Sequence, residues 1–478
     1  MSGMGGMPVG DVLPELVLLA GAVGILLFAL FAPRRLQRWA AGLALTTAAA
    51  TTIATIRLLS GPQRLTFADT YAVDGAALWA KLIILAITVI VIALSVDWFS
   101  EDPRQGEYYT LLLMSALGAM LLAGAADLMQ MTLALLLSSA TGYVLTAYHR
   151  RSRRASEAAL KYYLLGALAN GAMVYGVVLL FGLATTTTFA GLLTGLEGAH
   201  SLPLVAATGL VVVGLAFKMG AVPAHAWMPD VADGAPAPVA AFITAAPKVG
   251  AVIALARLAM VLPESGVGWR PLVAVLAALT MTVGNVAALW QDDVRRLLGW
   301  SAVSQTGYVL MAIVALGRSD LAVPALLYFF VAYTAANLAA FGVVVQLRGQ
   351  SSRARYAGLA AGHPFLAMAL TVSFLSLVGI PPLAGFAGKL ALFGATIDAG
   401  YGWLAVVAAI NTVVSLFYYA RVLGPAYFEA AAEPRAALPT LGRWTAVGVA
   451  ATAVALVGFG IWAQPLFELF RRATLLSE

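Results

Sequence analysis

A chain of 478 residues that is 62% hydrophobic and only 10% charged stands far from soluble domains, in which about a quarter of residues are charged. That balance excludes a soluble globular protein, and a net charge of +6 carried in short polar breaks gives no reason to invoke nucleic acid. The absence of cysteine excludes disulfides, iron–sulfur clusters and thiolate metal sites, and four scattered histidines argue against zinc.

The opening MSGMGGMPVG has no cationic n-region, and no A-x-A-like site closes a short apolar stretch, so the first span reads as retained rather than cleaved. Apolar runs of about 20 residues suffice to cross a ~30 Å hydrocarbon core. They fall near residues 12–32, 36–60, 75–98, 108–126, 128–148, 158–185, 203–225, 238–262, 271–290, 297–317, 321–347, 364–397, 401–423 and 444–470. Alternating barrel-strand patterns are missing, so helices satisfy the backbone. The expectation is an all-α membrane protein of about fourteen transmembrane helices, one polytopic domain over 1–478.

Arginines set the orientation. Arg34, Arg35 and Arg38 follow the first span, His149 to Arg154 the fifth, Arg295 and Arg296 the ninth, Arg348, Arg353 and Arg355 the eleventh, and Arg435 and Arg443 the thirteenth. All are loops after odd-numbered spans, which the positive-inside rule places in the cytoplasm with both termini outside; Arg471 and Arg472 run against the trend.

Of 28 basic residues only five are lysines, and Lys81, Lys161, Lys218, Lys248 and Lys389 all lie inside apolar segments. Arginine stays charged, whereas a desolvated lysine can exchange its proton. Lys218 sits about two thirds along the seventh span, just before Gly220 and Pro223, and Lys248 lies near the centre of the eighth, directly after Pro247. Ionisable groups so placed cost ~2.5–3.5 kcal/mol and mark a pathway or a pairing. Lys389 belongs to LSLVGIPPLAGFAGKLALFG, whose Gly379, Pro381, Pro382, Gly385 and Gly388 break the helix. Two interrupted helices an odd five spans apart, each with a lysine, are the pattern of inverted repeats with broken helices at ion sites.

Ser138, Ser139, Thr141, Tyr143, Thr244, Ser301, Ser304, Gln305, Tyr308, Asn337, Ser373 and Ser376 are polar groups in these helices and their neighbours, each a candidate relay or an ordinary helix contact. Lys81 and Lys161 stand near the starts of their spans, where snorkelling and a pathway role fit equally well. Glu157 precedes Lys161 in the favourable i, i+4 order. His225 could pass protons between the break and bulk water or simply cap a loop.

The stretch AFKMGAVPAHAWMPDVADGAPAPVAAFITAAPKVGAVIALAR, together with LPEL at 13–16, EAALKYYLLGA at 157–167, RRLLGWSAVSQTGYVL at 295–310, LSLVGIPPLAGFAGK at 375–389 and NTVVSLFYYARVL at 411–423, resembles the antiporter-like membrane subunits of respiratory complex I. Pro247-Lys248 without a histidine cluster, Lys389 in the twelfth span, and an end directly after span fourteen resemble its N-type branch. The resemblance implies two inverted five-helix units, helices 4–8 (108–262) and 9–13 (271–423), each around a broken helix, preceded by helices 1–3 (1–98) and followed by helix 14 (444–470). It implies a row of Lys218, Lys248 and Lys389 carrying protons outward across a bacterial inner membrane, driven by quinone reduction elsewhere in the complex. Partners would be other membrane subunits, and this chain would bind no NADH, flavin, quinone or metal.

One departure stands out. Aligning Asp127-Leu128 with the family's opening of span five puts Leu136 where a glutamate that pairs with the span-seven lysine is expected. Gln305 likewise stands where many relatives carry histidine. Lys218 then lacks the opposite charge that favours its ammonium form. Alternatives are a cation/proton antiporter subunit, a hydrogenase-linked relative, or a structural subunit that no longer pumps; the lack of a mid-span carboxylate weighs against the antiporter.

Overall fold

The computed structural model describes residues 8–264, 268–430 and 442–476. Arg435, one of the predicted orienting arginines, lies outside the described residues. Helices α1 (Leu13–Phe31) and α2 (Trp39–Leu59) lead into a short antiparallel hairpin of β1 (Arg64–Thr66) and β2 (Tyr71–Val73), which hydropathy did not foretell. There follow α3 (Gly75–Trp98), α4 (Gln105–Ala123), α5 (Leu128–Thr146), α6 (Arg153–Ala184), α7 (Phe189–Gly195), α8 (Ser201–Met219), α9 (Trp227–Gly234), α10 (Ala237–Ile243) and α11 (Ala246–Val261). The second half holds α12 (Trp269–Leu289), α13 (Val294–Ala315), α14 (Ala322–Gln346), α15 (Leu359–Gly362), α16 (Pro364–Val378), α17 (Ala384–Asp398), α18 (Gly402–Phe428), α19 (Arg443–Ile461) and α20 (Ala463–Phe470).

Thirteen helical segments among the described residues are long and apolar enough to cross a membrane. The remaining predicted span, 364–397, is the pair α16 and α17, split as its glycines and prolines require. Two predictions need correction. The seventh span does not stay helical to residue 225 but stops at Met219, so Lys218 is its penultimate residue. The eighth is also interrupted: α10 ends at Ile243 and α11 begins at Ala246.

Helix starts follow the sequence. The carboxylates of Asp74, Asp127 and Asp293 and the hydroxyls of Ser152 and Thr188 accept from free amides of the first turns of α3, α5, α13, α6 and α7, as N-caps do. The same construction recurs in both halves. A Cβ on Gly118 would lie 2.6 Å from the Ser138 backbone nitrogen, and one on Gly284 would lie 2.5 Å from that of Ser304. The α4–α5 and α12–α13 pairs thus touch backbone to backbone, as small residues permit where apolar burial cannot drive helix association.

The core is eccentric. Segment Ala237–Val261 is buried throughout, and α13 and α14 nearly so, whereas α1, α2 and α19 leave most of their surface free. The most enclosed helices are those that carry Lys248 and its neighbours.

Candidate functional site

At the first break, α8 ends on Gly220 with φ +73°, a left-handed backbone that glycine adopts without Cβ strain. The amides of Gly220 and Ala221 donate to the carbonyls of Phe217 (3.0 Å) and Ala216 (2.8 Å). Trp227 Nε1 also donates to Phe217 O at 3.0 Å, and Thr306 Oγ1 to Met219 O at 2.9 Å. Lys218, buried beside them, donates from Nζ to Ser139 Oγ at 3.2 Å.

The second break opens at Thr244 and Ala245, where Pro247 supplies no amide for the first turn of α11. Tyr333 Oη donates to the freed Thr244 carbonyl at 2.8 Å, and Asn337 Nδ2 to Thr244 Oγ1 at 2.9 Å. Lys248, fully buried, donates to Ala302 O at 2.6 Å and Tyr333 Oη at 3.2 Å, with its ammonium 4.8 Å from the Tyr333 ring centre.

At the third, α16 stops on Gly379 with φ +94°, and Gly385 N donates to Ser376 Oγ at 3.1 Å where α17 begins. Lys389 reaches back across the break, donating to Val378 O at 3.0 Å and Thr412 Oγ1 at 3.4 Å, 4.0 Å from the Tyr308 ring centre. Gln305 Nε2 donates to the neighbouring Leu377 O at 3.1 Å.

Helix α13 joins these places. Its Ala302 carbonyl accepts from Lys248 and, at 3.0 Å, from Thr306 Oγ1, which also donates to the end of α8; its Gln305 holds the end of α16, and its Tyr308 underlies Lys389. Ser301 Oγ meets Tyr419 Oη at 2.6 Å. Among the described residues no carboxylate lies within ion-pair distance of Lys218, Lys248 or Lys389. Their hydrogen-bond partners among the described residues are neutral oxygens.

Other predicted residues lie apart from this row. Lys161 pairs with Glu157 at 2.7 Å and Asp230 at 3.2 Å, and Arg296 joins Asp230 at 2.7 Å. This is a half-exposed charge cluster, and ion pairs in such places contribute little stability. His225 is half-buried against the Trp300 ring, with centroids 5.5 Å apart. Thr141 is spent on its own helix, donating to Leu137 O, and Ser373 ties α16 to Ala336 O. Leu136 is 38% exposed, one turn before Ser139 on α5.

Lys81 does not snorkel. It is wholly buried and pairs with Glu15 at 2.9 Å, while Tyr71 Oη donates to the same Glu15 oxygen at 2.6 Å. A second buried pair, Arg257–Asp74 at 2.6 Å, is closed by the Leu476 amide on Asp74 Oδ2 at 2.8 Å. Sequence reading missed this pair, as it missed Tyr333, Thr306 and Thr412; a lone Arg257 inside an apolar run was the available signal. Among the described residues no group of three or more His, Asp or Glu could hold a metal ion.

Helices broken on left-handed glycines, with buried lysines at the interruptions, define an antiporter-like membrane subunit. The chain belongs to the family described as NADH:quinone oxidoreductase/Mrp antiporter, transmembrane, which it matches over residues 125–415. It is 44% identical to NADH-quinone oxidoreductase subunit N 1 of Streptomyces griseus, over 94% of this chain and 95% of that protein. A chain of Thermus thermophilus respiratory complex I with bound aureothin is 30% identical and superposes with a TM-score of 0.83, covering 97% of this chain and 100% of that one. A chain of the Mrp complex from a Dietzia species, 22% identical, shares the fold at a TM-score of 0.81 over 98% and 97% of the two chains.

Proposed function

We propose that this chain is a proton-translocating, antiporter-like subunit of a bacterial membrane-bound NADH:quinone oxidoreductase. It would sit in the cell membrane among other membrane subunits, with both termini on the outer side. Its two five-helix units would run in opposite directions, and Lys218, Lys248 and Lys389 would hand protons along water and hydroxyl groups towards the outside. Quinone reduction in another part of the complex would drive them, and no redox chemistry or cofactor would reside on this chain.

The observation that carries this reading is the set of three buried lysines that, among the described residues, are held by neutral oxygens, at interruptions that α13 touches in turn. A lysine fixed to a carboxylate at close range is committed to its charge; one held by carbonyls and hydroxyls can release a proton and keep a partner in either state. Ser139 and Thr412 can both donate and accept, so they can serve the amine as well as the ammonium. Lys161, Glu157 and His225 fit best as entry-side groups.

Leu136 favours a second reading, a subunit that seals the membrane arm without pumping. Lys248→Ala in the intact complex separates the two, with the proton-to-electron ratio measured in vesicles. Lost coupling supports translocation; an unchanged ratio supports the sealing role.

A further inference from the structure

Away from the lysine row, α4, α5 and α6 enclose a groove of about 490 Å³ at the arginine-rich end of the bundle. Its floor is apolar, and Val144 and Leu160, each more than half exposed, face outward along it. Its mouth carries both signs of charge, Arg104 and Arg150 with Glu107. Arg104 is fixed in place: Nη2 donates to Tyr148 O at 3.3 Å, the guanidinium stands 4.7 Å from the Tyr148 ring centre, and Asp102 lies 3.6 Å away. Among the described residues the side chains of Arg150 and Glu107 have no ion-pair partner.

We propose that this groove binds one phospholipid whose headgroup carries both a phosphate and a primary ammonium, of the phosphatidylethanolamine type. Arg104 and Arg150 hold the phosphate, for which guanidinium groups are suited. Glu107 accepts from the ammonium, and an acyl chain lies along Val144 and Leu160. Tyr163, which lines the groove and is more than half exposed, is of the amphipathic kind that favours the boundary between headgroups and hydrocarbon. Charge selects this headgroup over others. A purely anionic one leaves Glu107 facing like charge, and a trimethylammonium one offers it no N–H donor. The inference requires only that the chain spans a bilayer. It has a consequence for the row, because Tyr143 lines the groove on the same helix as Ser139, the partner of Lys218; the lipid backs the turn of α5 that holds the first lysine.

The test uses the intact complex in nanodiscs containing phosphatidylethanolamine with a photoreactive acyl chain, and labelled peptides are identified by mass spectrometry. Labelling should fall on the groove faces of α5 and α6, exceed that by a phosphatidylcholine analogue, and drop about tenfold in the Arg104→Gln/Arg150→Gln double variant, the size expected when a charged headgroup contact is lost. Equal labelling of wild type and double variant would overturn the proposal, as would equal labelling by the two analogues. Should the double variant not assemble, Glu107→Gln decides: loss of the preference for ethanolamine over choline supports the site, and a retained preference refutes it.

Discussion

The interruptions after Lys218 and before Lys389 share a backbone plan, each with a left-handed glycine and a proline three residues on, yet they treat their lysines differently. In the second, Lys389 comes after the gap and turns back to Val378 O, so its ammonium caps the carbonyl end of α16, where a cation is electrostatically favoured. In the first, the carbonyls of Phe217 and Met219 are taken by Trp227 and Thr306, and Lys218 is left to a hydroxyl of another helix. One lysine helps hold its break together. The other sits beside a break that holds without it.

The contrast is most sharply tested by removing each amine. Lys389→Met leaves the buried Val378 carbonyl without its donor, which should cost about 1–3 kcal/mol, seen as a lower unfolding temperature of the purified complex. Lys218→Met should leave that temperature nearly unchanged. Both should cut proton pumping, followed by dye quenching in NADH-energised inverted vesicles, by about tenfold or more, as expected when a proton-transfer group is lost. Equal destabilisation by the two would end the distinction.

Alanine at the two glycines comes next. Each forces a Cβ into a left-handed conformation, at about 1–2 kcal/mol. At Gly379 the new methyl would also stand 3.1 Å from Lys389 Cδ, whereas at Gly220 it meets the flexible end of Met228. Gly379→Ala should therefore lower pumping as well as stability, and Gly220→Ala mainly stability. Trp227→Phe should cost about 1 kcal/mol, because Phe217 O loses its indole donor while the ring can still stack on Tyr162, 4.1 Å away centre to centre; the unfolding temperature of the purified complex checks it. Smallest in stability is Leu136→Glu, on a partly exposed position. It should leave assembly intact but change the pH profile of pumping by offering a carboxylate one turn from Ser139. An unaltered profile would show that α5 does not influence Lys218 through that position.

Much of this was legible in the chain itself. Gly220, Pro223, Gly379, Pro381 and Pro382 mark where a helix cannot continue, and lysines in apolar runs mark where an ion must be accommodated. The opening at Thr244 was not legible, because Pro247 tells only that an amide is missing and not that the turn before it unwinds. Partners were harder still. Lys248 meets Ala302, 54 residues away, and Arg257 meets Asp74, 183 residues away; a carbonyl leaves no trace in side-chain pattern, and an aspartate at a helix start reads as a cap. Lys81 near the beginning of its span resembled an interfacial residue until the hairpin folded Tyr71 over Glu15 beside it. Of the hydroxyl groups in spans, sequence singled out Thr141, which bonds its own helix, and passed over Thr306, which bridges two; only packing distinguishes them.

Because Thr306, Ala302, Gln305 and Tyr308 all project from α13 and meet the three interruptions, that helix is laid out like a camshaft. In a close-packed interior such a rod cannot rotate or slide without its neighbours registering the shift, so a displacement of α13 would be felt at all three interruptions together.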